Sequence, residues 1–237
     1  VANRKVVYIS RLLILIICII FIMFLSMDIF NLDLKISSNQ LKFLSVFLCL
    51  ILSLLPDPSS HESRGLDLLR LGLFLTIIAD YIFLIHQDNY SLALGLFCLV
   101  QLIYSIRYRG RDGLKMILRF IILFLVILIL YRIIDRRLGE IDFQIVLAIF
   151  YGICFGLSLW EATKRYRREP NKVGNRMIVY GMILFLLCDL NLGVHYILGV
   201  LKASGEVLDF LRNISVISIW VYYLPSQILL ALSGFEY

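Results

Sequence analysis

Residues 65–85 read GLDLLRLGLFLTIIADYIFLI. Past Arg70 the run is apolar apart from Thr76, Tyr81 and one carboxylate, Asp80. As a helix rising 1.5 Å per residue it measures about 30 Å, the thickness of a bilayer's hydrocarbon core. It lacks the alternation of a half-buried strand. Seven further apolar runs follow the same reading: roughly Val6–Met27, Gln40–Leu55, Tyr90–Ile106, Leu114–Ile134, Ile141–Thr163, Asn175–Val200 and Leu211–Ser233. The runs at 40–55 and 90–106 are the shortest. None alternates as the roughly ten-residue strands of a membrane barrel do. The first is longer than a signal-peptide core and no small-x-small cleavage pattern follows it, so it reads as a span. The expected fold is all-α: a polytopic transmembrane helix bundle with eight spans, residues 1–237 forming a single integral membrane domain.

Composition agrees. Of 237 residues 61% are hydrophobic and 17% charged, and the mean hydropathy is +0.90. A soluble domain averages roughly 45–50% apolar and about 25% charged. Too little polar surface remains to coat a water-soluble globule, which excludes a soluble enzyme, a disordered tail and a secreted disulfide scaffold. The net charge of +6 does not point to nucleic acid, because the basic residues sit in short connections and no exposed domain carries a basic face. With eight spans, 16 of the 23 Lys and Arg fall on the N-terminal side and 7 on the other. That bias places both termini in the cytoplasm. Cys18, Cys49, Cys98, Cys154 and Cys188 lie inside apolar runs without a CxxC pair, and read as small buried hydrophobes.

The third and seventh spans echo each other. Gly72, Asp80 and His86 match Gly181, Asp189 and His195 at a constant offset of 109, giving G-x7-D-x5-H twice. The echo suggests two four-span halves, about 1–110 and 111–237, with a site where they meet.

Carboxylates inside a hydrocarbon layer are costly, about 2.5–3.5 kcal/mol at a helix centre, and usually mark function. Asp80 and Asp189 lie at similar depths in their spans, as two carboxyls facing one cavity would. Gln101 and Tyr104 share a helical face with Phe97, and Tyr223 and Gln227 are four residues apart with Tyr222 beside them. Pro225 falls between them and would free the Val221 carbonyl, kinking the helix. Tyr196 returns to the Asp189 face, whereas Asn191 points away. His86 and His195 lie near the outer boundary. Gly152 and Gly156 read as a helix-packing pair, Glu161 as a snorkelling residue at a span end, and Ser59, Ser60, His61 and Glu62 as a polar turn. The histidines are too few beside the carboxylates to make a zinc centre the main reading.

Four runs carry a family resemblance: Ala79-Asp80-Tyr81-Ile82-Phe83-Leu84; Phe97-Cys98-Leu99-Val100-Gln101-Leu102-Ile103-Tyr104; Gly181-Met182-Ile183-Leu184-Phe185-Leu186-Leu187-Cys188-Asp189; and Tyr222-Tyr223-Leu224-Pro225-Ser226-Gln227-Ile228-Leu229. In order and span placement they resemble the YhhN family of eight-span membrane proteins, whose animal members are lysoplasmalogenases. Ala79 stands where the family has Gly, Cys188 where it has Ser, and Gln101 where it often has His.

The resemblance implies hydrolysis of the vinyl ether of a lysoplasmalogen to a fatty aldehyde and a glycerophospho-base. Such a reaction suits two carboxyls. One kept protonated would give its proton to the β-carbon, and its ionised partner would stabilise the oxocarbenium ion and orient water. Asp80 and Asp189 are the expected catalytic pair. Gln101, Tyr104, Tyr222, Tyr223, Gln227 and His195 are the expected substrate-binding residues. No metal or organic cofactor is called for. The expected partners are a lysophospholipid substrate and the lipids of the cell membrane, with no nucleic acid. A transporter or lipid-binding protein using the same aspartates, and a catalytically inactive scaffold, are the readings from other classes.

Overall fold

The computed structural model of the chain describes residues 4–32, 34–56, 63–110, 112–139, 142–200 and 205–235. These residues form eight α-helices and, among them, no strand: α1 (Arg4–Phe30), α2 (Ser38–Leu54), α3 (Ser63–Tyr81), α4 (Tyr90–Arg109), α5 (Gly113–Leu138), α6 (Phe143–Arg168), α7 (Val173–Val200) and α8 (Glu206–Leu232). Each apolar run became a helix. All but α2 are long and apolar enough to cross a membrane, which makes the chain an integral membrane protein. α2 has 17 residues, about 25 Å of helix, and falls short of that length.

Local chemistry sets the helix ends. Ser37 caps α2: its hydroxyl accepts from the Gln40 N–H at 3.3 Å, and the Gln40 side chain accepts from the Ser37 N–H at 3.0 Å. Asp142 caps α6 by accepting from the Gln144 N–H at 2.9 Å. Gly110, at φ +84°, ends α4 in a conformation that residues with a Cβ avoid. α3 runs on into a π-helical turn, Ile82–His86, closed by Gln87 at φ 58°. α8 continues as helix through Pro225, where the sequence suggested a kink. The polar turn at 59–62 lies outside the described residues.

The helices gather into two compact units, one of residues 57–175 and one of residues 1–56 with 176–237. In the 57–175 unit α4 is the hub, packing against α3, α5 and α6. Leu69, Leu73, Val100, Tyr104, Met116 and Cys154 are fully buried there. α5 buries almost nothing of its apolar length and presents Ile122, Leu125 and Ile129 outward, as a lipid-facing helix does. A Cβ placed at Gly152 or Gly156 would meet nothing within 4 Å, so the expected packing pair has no partner helix among the described residues. In the other unit α1 and α8 both pack against α2 and against each other. Ile17, Phe24, Val46, Cys49, Leu52, Leu224 and Leu230 form its core.

Candidate functional site

In the 57–175 unit, the site residues ride on α3 and α4. Gly72 lies under the Tyr104 ring so closely that a Cβ at 72 would overlap it. Further along, Phe83 meets Phe97 with ring centroids 6.0 Å apart. Asp80 sits between these two contacts on α3, and Gln101 sits between them on α4. The two polar residues are therefore within about one helical turn of each other in level. Asp80 is 5% exposed and Gln101 not at all. Neither atom of the Gln101 amide has a hydrogen-bond partner among the described residues, and the same holds for the hydroxyl of Ser105, one turn on. An unpartnered buried polar group costs about 1–3 kcal/mol. Packing alone gives no reason to bear that cost at position 101. Tyr104 is fully buried and its ring stacks on Tyr108 at 5.9 Å. His86 is exposed and faces Asp88 at 3.2 Å, so it belongs to the surface turn after α3.

In the other unit, α7 and α8 repeat the arrangement. Gly181 faces Leu230, whose Cγ would lie 3.1 Å from a Cβ at 181, and the Ser226 carbonyl oxygen at 3.3 Å. One turn along, Phe185 meets Tyr223 at 5.5 Å, and Tyr223 meets Trp220 at 5.3 Å. Asp189 follows Phe185 by one turn and is half-buried. Gln227 and Ser226 are fully buried, and their side-chain polar atoms lack hydrogen-bond partners among the described residues. Tyr223 is buried and Tyr222 half-buried. His195 is half-buried, and its Nδ1 is enclosed without a hydrogen-bond partner among the described residues. Tyr196, seven residues on along the same helix, is exposed. Asn191 donates to the Leu187 carbonyl at 2.7 Å, a bond within its own helix.

Two charged residues differ from their sequence reading. Lys42, counted among loop charges, is buried: its Nζ lies 2.8 Å from Asp28 Oδ2 and 5.3 Å from the Trp220 ring centre. Ser38 donates to the other Asp28 oxygen at 2.6 Å. The pair ties α1 to α2 beneath α8. The only sequence signal was Asp28 at the end of one apolar run and Lys42 at the start of the next. Glu161 does not snorkel; it is 6% exposed and lies 3.5 Å from Arg109 Nη1. Beside it Arg165 donates to the Arg107 carbonyl at 3.1 Å and to Asn175 Oδ1 at 2.8 Å, joining the ends of α4 and α6 to the start of α7. In the connection between α6 and α7, the Lys172 ammonium 3.0 Å away holds the Glu169 carboxyl below the usual carboxylate range. Among the described residues no three His, Cys, Asp or Glu side chains converge as a metal site.

The YhhN family pattern matches residues 38–234, from the first turn of α2 to just past the end of α8. The chain belongs to the YhhN family. No curated protein and no solved structure matches it. The YhhN match takes in both G-x7-D helices and the helix that follows each, so all eight candidate site residues lie within it.

Proposed function

We propose that this YhhN protein is a membrane-embedded lysolipid hydrolase of the cell membrane. It cleaves the vinyl ether of a lysoplasmalogen, with Asp80 and Asp189 supplying the two carboxyl roles. In this reading the chain crosses the bilayer eight times, α2 included, with both termini cytoplasmic. The observation that carries it is the pair of aspartates within apolar helices, each eight residues past a glycine packed on the next helix. A carboxyl retained in such a helix is expected to serve chemistry or transport, because bilayer burial otherwise selects against it.

The reaction needs one proton donor and one anion. A protonated carboxyl gives its proton to the β-carbon of the vinyl ether, leaving an oxocarbenium ion at the α-carbon. A carboxylate stabilises that cation and takes a proton from water as water adds. The hemiacetal then collapses to aldehyde and alcohol. Gln101, Tyr104, Tyr222, Tyr223, Gln227 and His195 offer amide, phenol and imidazole groups to orient water and the glycerol end of the substrate.

The test is aldehyde release from a lysoplasmalogen by purified protein, beside an acyl lysolipid control. Aldehyde from the vinyl ether alone, lost in Asp80→Asn, supports the reading. Full activity in both Asp80→Asn and Asp189→Asn would end it.

A further inference from the structure

A hydrolase working inside hydrocarbon must bring in water, one molecule for each bond cleaved. The 57–175 unit holds a set of polar side chains suited to that task. α4 and α6 run in the same direction: Phe97 meets Tyr151 at 6.2 Å, and ten residues on, the Arg107 carbonyl accepts from Arg165. Ser158 lies midway between Tyr151 and Arg165. It is therefore level with the Gln101–Ser105 turn of α4. Ser158 is fully buried and its hydroxyl is unpartnered among the described residues, as are the Gln101 amide and the Ser105 hydroxyl. Three such groups at one level of the packing of α4 against α3 and α6 exceed what helix packing explains. Apolar cavities stay dry, but polar ones hold waters that make about three hydrogen bonds each. One turn past Ser158, Glu161 faces Arg109, whose side chain is 26% exposed and marks the open end.

We propose that Gln101, Ser105 and Ser158 hold a file of water along the α4–α6 interface, running from the level of Asp80 to the Glu161–Arg109 pair. Its purpose, water supply to Asp80, rests on the hydrolase reading. In this role Ser105, Ser158 and Gln101 are positioning residues. The proton that the acid gives to carbon returns from the water consumed, so the file has only to deliver water.

The file is tested without substrate by hydroxyl-radical pulse labelling of the full chain in lipid nanodiscs, read residue by residue by mass spectrometry. Bound water generates radicals in place, so Tyr104 and Cys154, both fully buried, report on it. Met182, also fully buried, serves as the dry control, with the labelling of each residue normalised to its intrinsic reactivity toward hydroxyl radical. Labelling of Tyr104 and Cys154 is expected to exceed that of Met182 by about tenfold, and to fall about fivefold in Ser158→Ala and in Gln101→Leu. Equal protection of all three residues in the unaltered protein overturns the proposal, whatever the variants do. Unchanged labelling in both folded variants overturns it as well. Labelling as expected with no aldehyde release leaves the file standing and removes the hydrolase; aldehyde release with a dry interface does the reverse.

Discussion

In the α3–α4 pair a glycine lies under a tyrosine ring, and the aspartate eight residues later is 5% exposed. In the α7–α8 pair the matching glycine lies under a leucine, and the matching aspartate is half-buried. Both following helices carry a fully buried glutamine three residues before the side chain that covers the glycine: Gln101 before Tyr104, and Gln227 before Leu230. Along the pairs the two glutamines sit differently. Gln101 is near the level of Asp80, whereas Tyr223 and Trp220 stand nearest the level of Asp189. One local motif therefore serves two environments, and the partner helix sets which. An amide beside a carboxyl can share water with it; an aromatic wall excludes water and shapes apolar room.

The largest test of this contrast is catalytic. Asp80→Asn and Asp189→Asn are each expected to lower aldehyde release about 10²–10⁴-fold, the usual worth of a general acid or base. Loss in one variant only would assign the chemistry to one helix pair and break the symmetry of roles. Folding is checked by circular dichroism and by gel filtration in detergent.

The second test compares the buried ion pairs of the two units. Asp28→Asn leaves the Lys42 ammonium enclosed by Phe24 and Trp220, and removing one partner of a buried pair costs about 3–5 kcal/mol. Arg109→Gln removes a longer, more exposed contact to Glu161 and is expected to cost less. Thermal unfolding in detergent ranks the two; the reverse order would mean that the α4–α6 end is the tighter clamp.

Gly72→Ala and Gly181→Ala probe the glycines. The first drives a Cβ into a fully buried tyrosine and is expected to cost about 1–3 kcal/mol. The approaches at Gly181 are longer, 3.1 Å to Leu230 Cγ and 3.3 Å to the Ser226 carbonyl oxygen, so Gly181→Ala is expected to cost about 1 kcal/mol, at the low end of that overpacking range. Equal unfolding temperatures would show that the two interfaces have the same give.

The smallest expected effects are on stability at the glutamines. Gln101→Leu and Gln227→Leu each exchange a buried amide, without a protein hydrogen-bond partner among the described residues, for an apolar chain of similar size, so stability is expected to change by no more than about 1 kcal/mol. Activity is expected to fall more in Gln101→Leu, because that amide lies closer in level to its aspartate. Gln101→His, the imidazole that the family resemblance suggests for this position, sharpens the point: aldehyde release is expected to change while the unfolding temperature stays near that of the unaltered chain.

Much of this was legible in the residue order. The run at 90–106 predicts a helix from Tyr90, and α4 begins at Tyr90. Span positions follow from continuous apolarity, which any helix in a bilayer needs, whatever its neighbours. The repeated G-x7-D and the glutamines stand out for the same reason: polar groups are conspicuous where lipid is the solvent. The fate of Lys42, Glu161, Gly152 and Tyr196 was not legible. A lysine near a helix start reads as a loop charge until two aromatic rings and a carboxylate from other helices enclose it. Gly152 and Gly156 read as a packing stripe, yet among the described residues nothing lies within 4 Å of a Cβ placed at either.

By itself, then, the sequence determined the class, the helices and the identity of the unusual polar residues, because these depend on composition and on rise per residue. The tertiary structure decided which residues are buried, which aspartate has an amide near its level and which an aromatic pair, and that Ser158 is level with the Gln101–Ser105 turn. Those are properties of helix pairs, and contacts between residues far apart in sequence arise only when the helices pack.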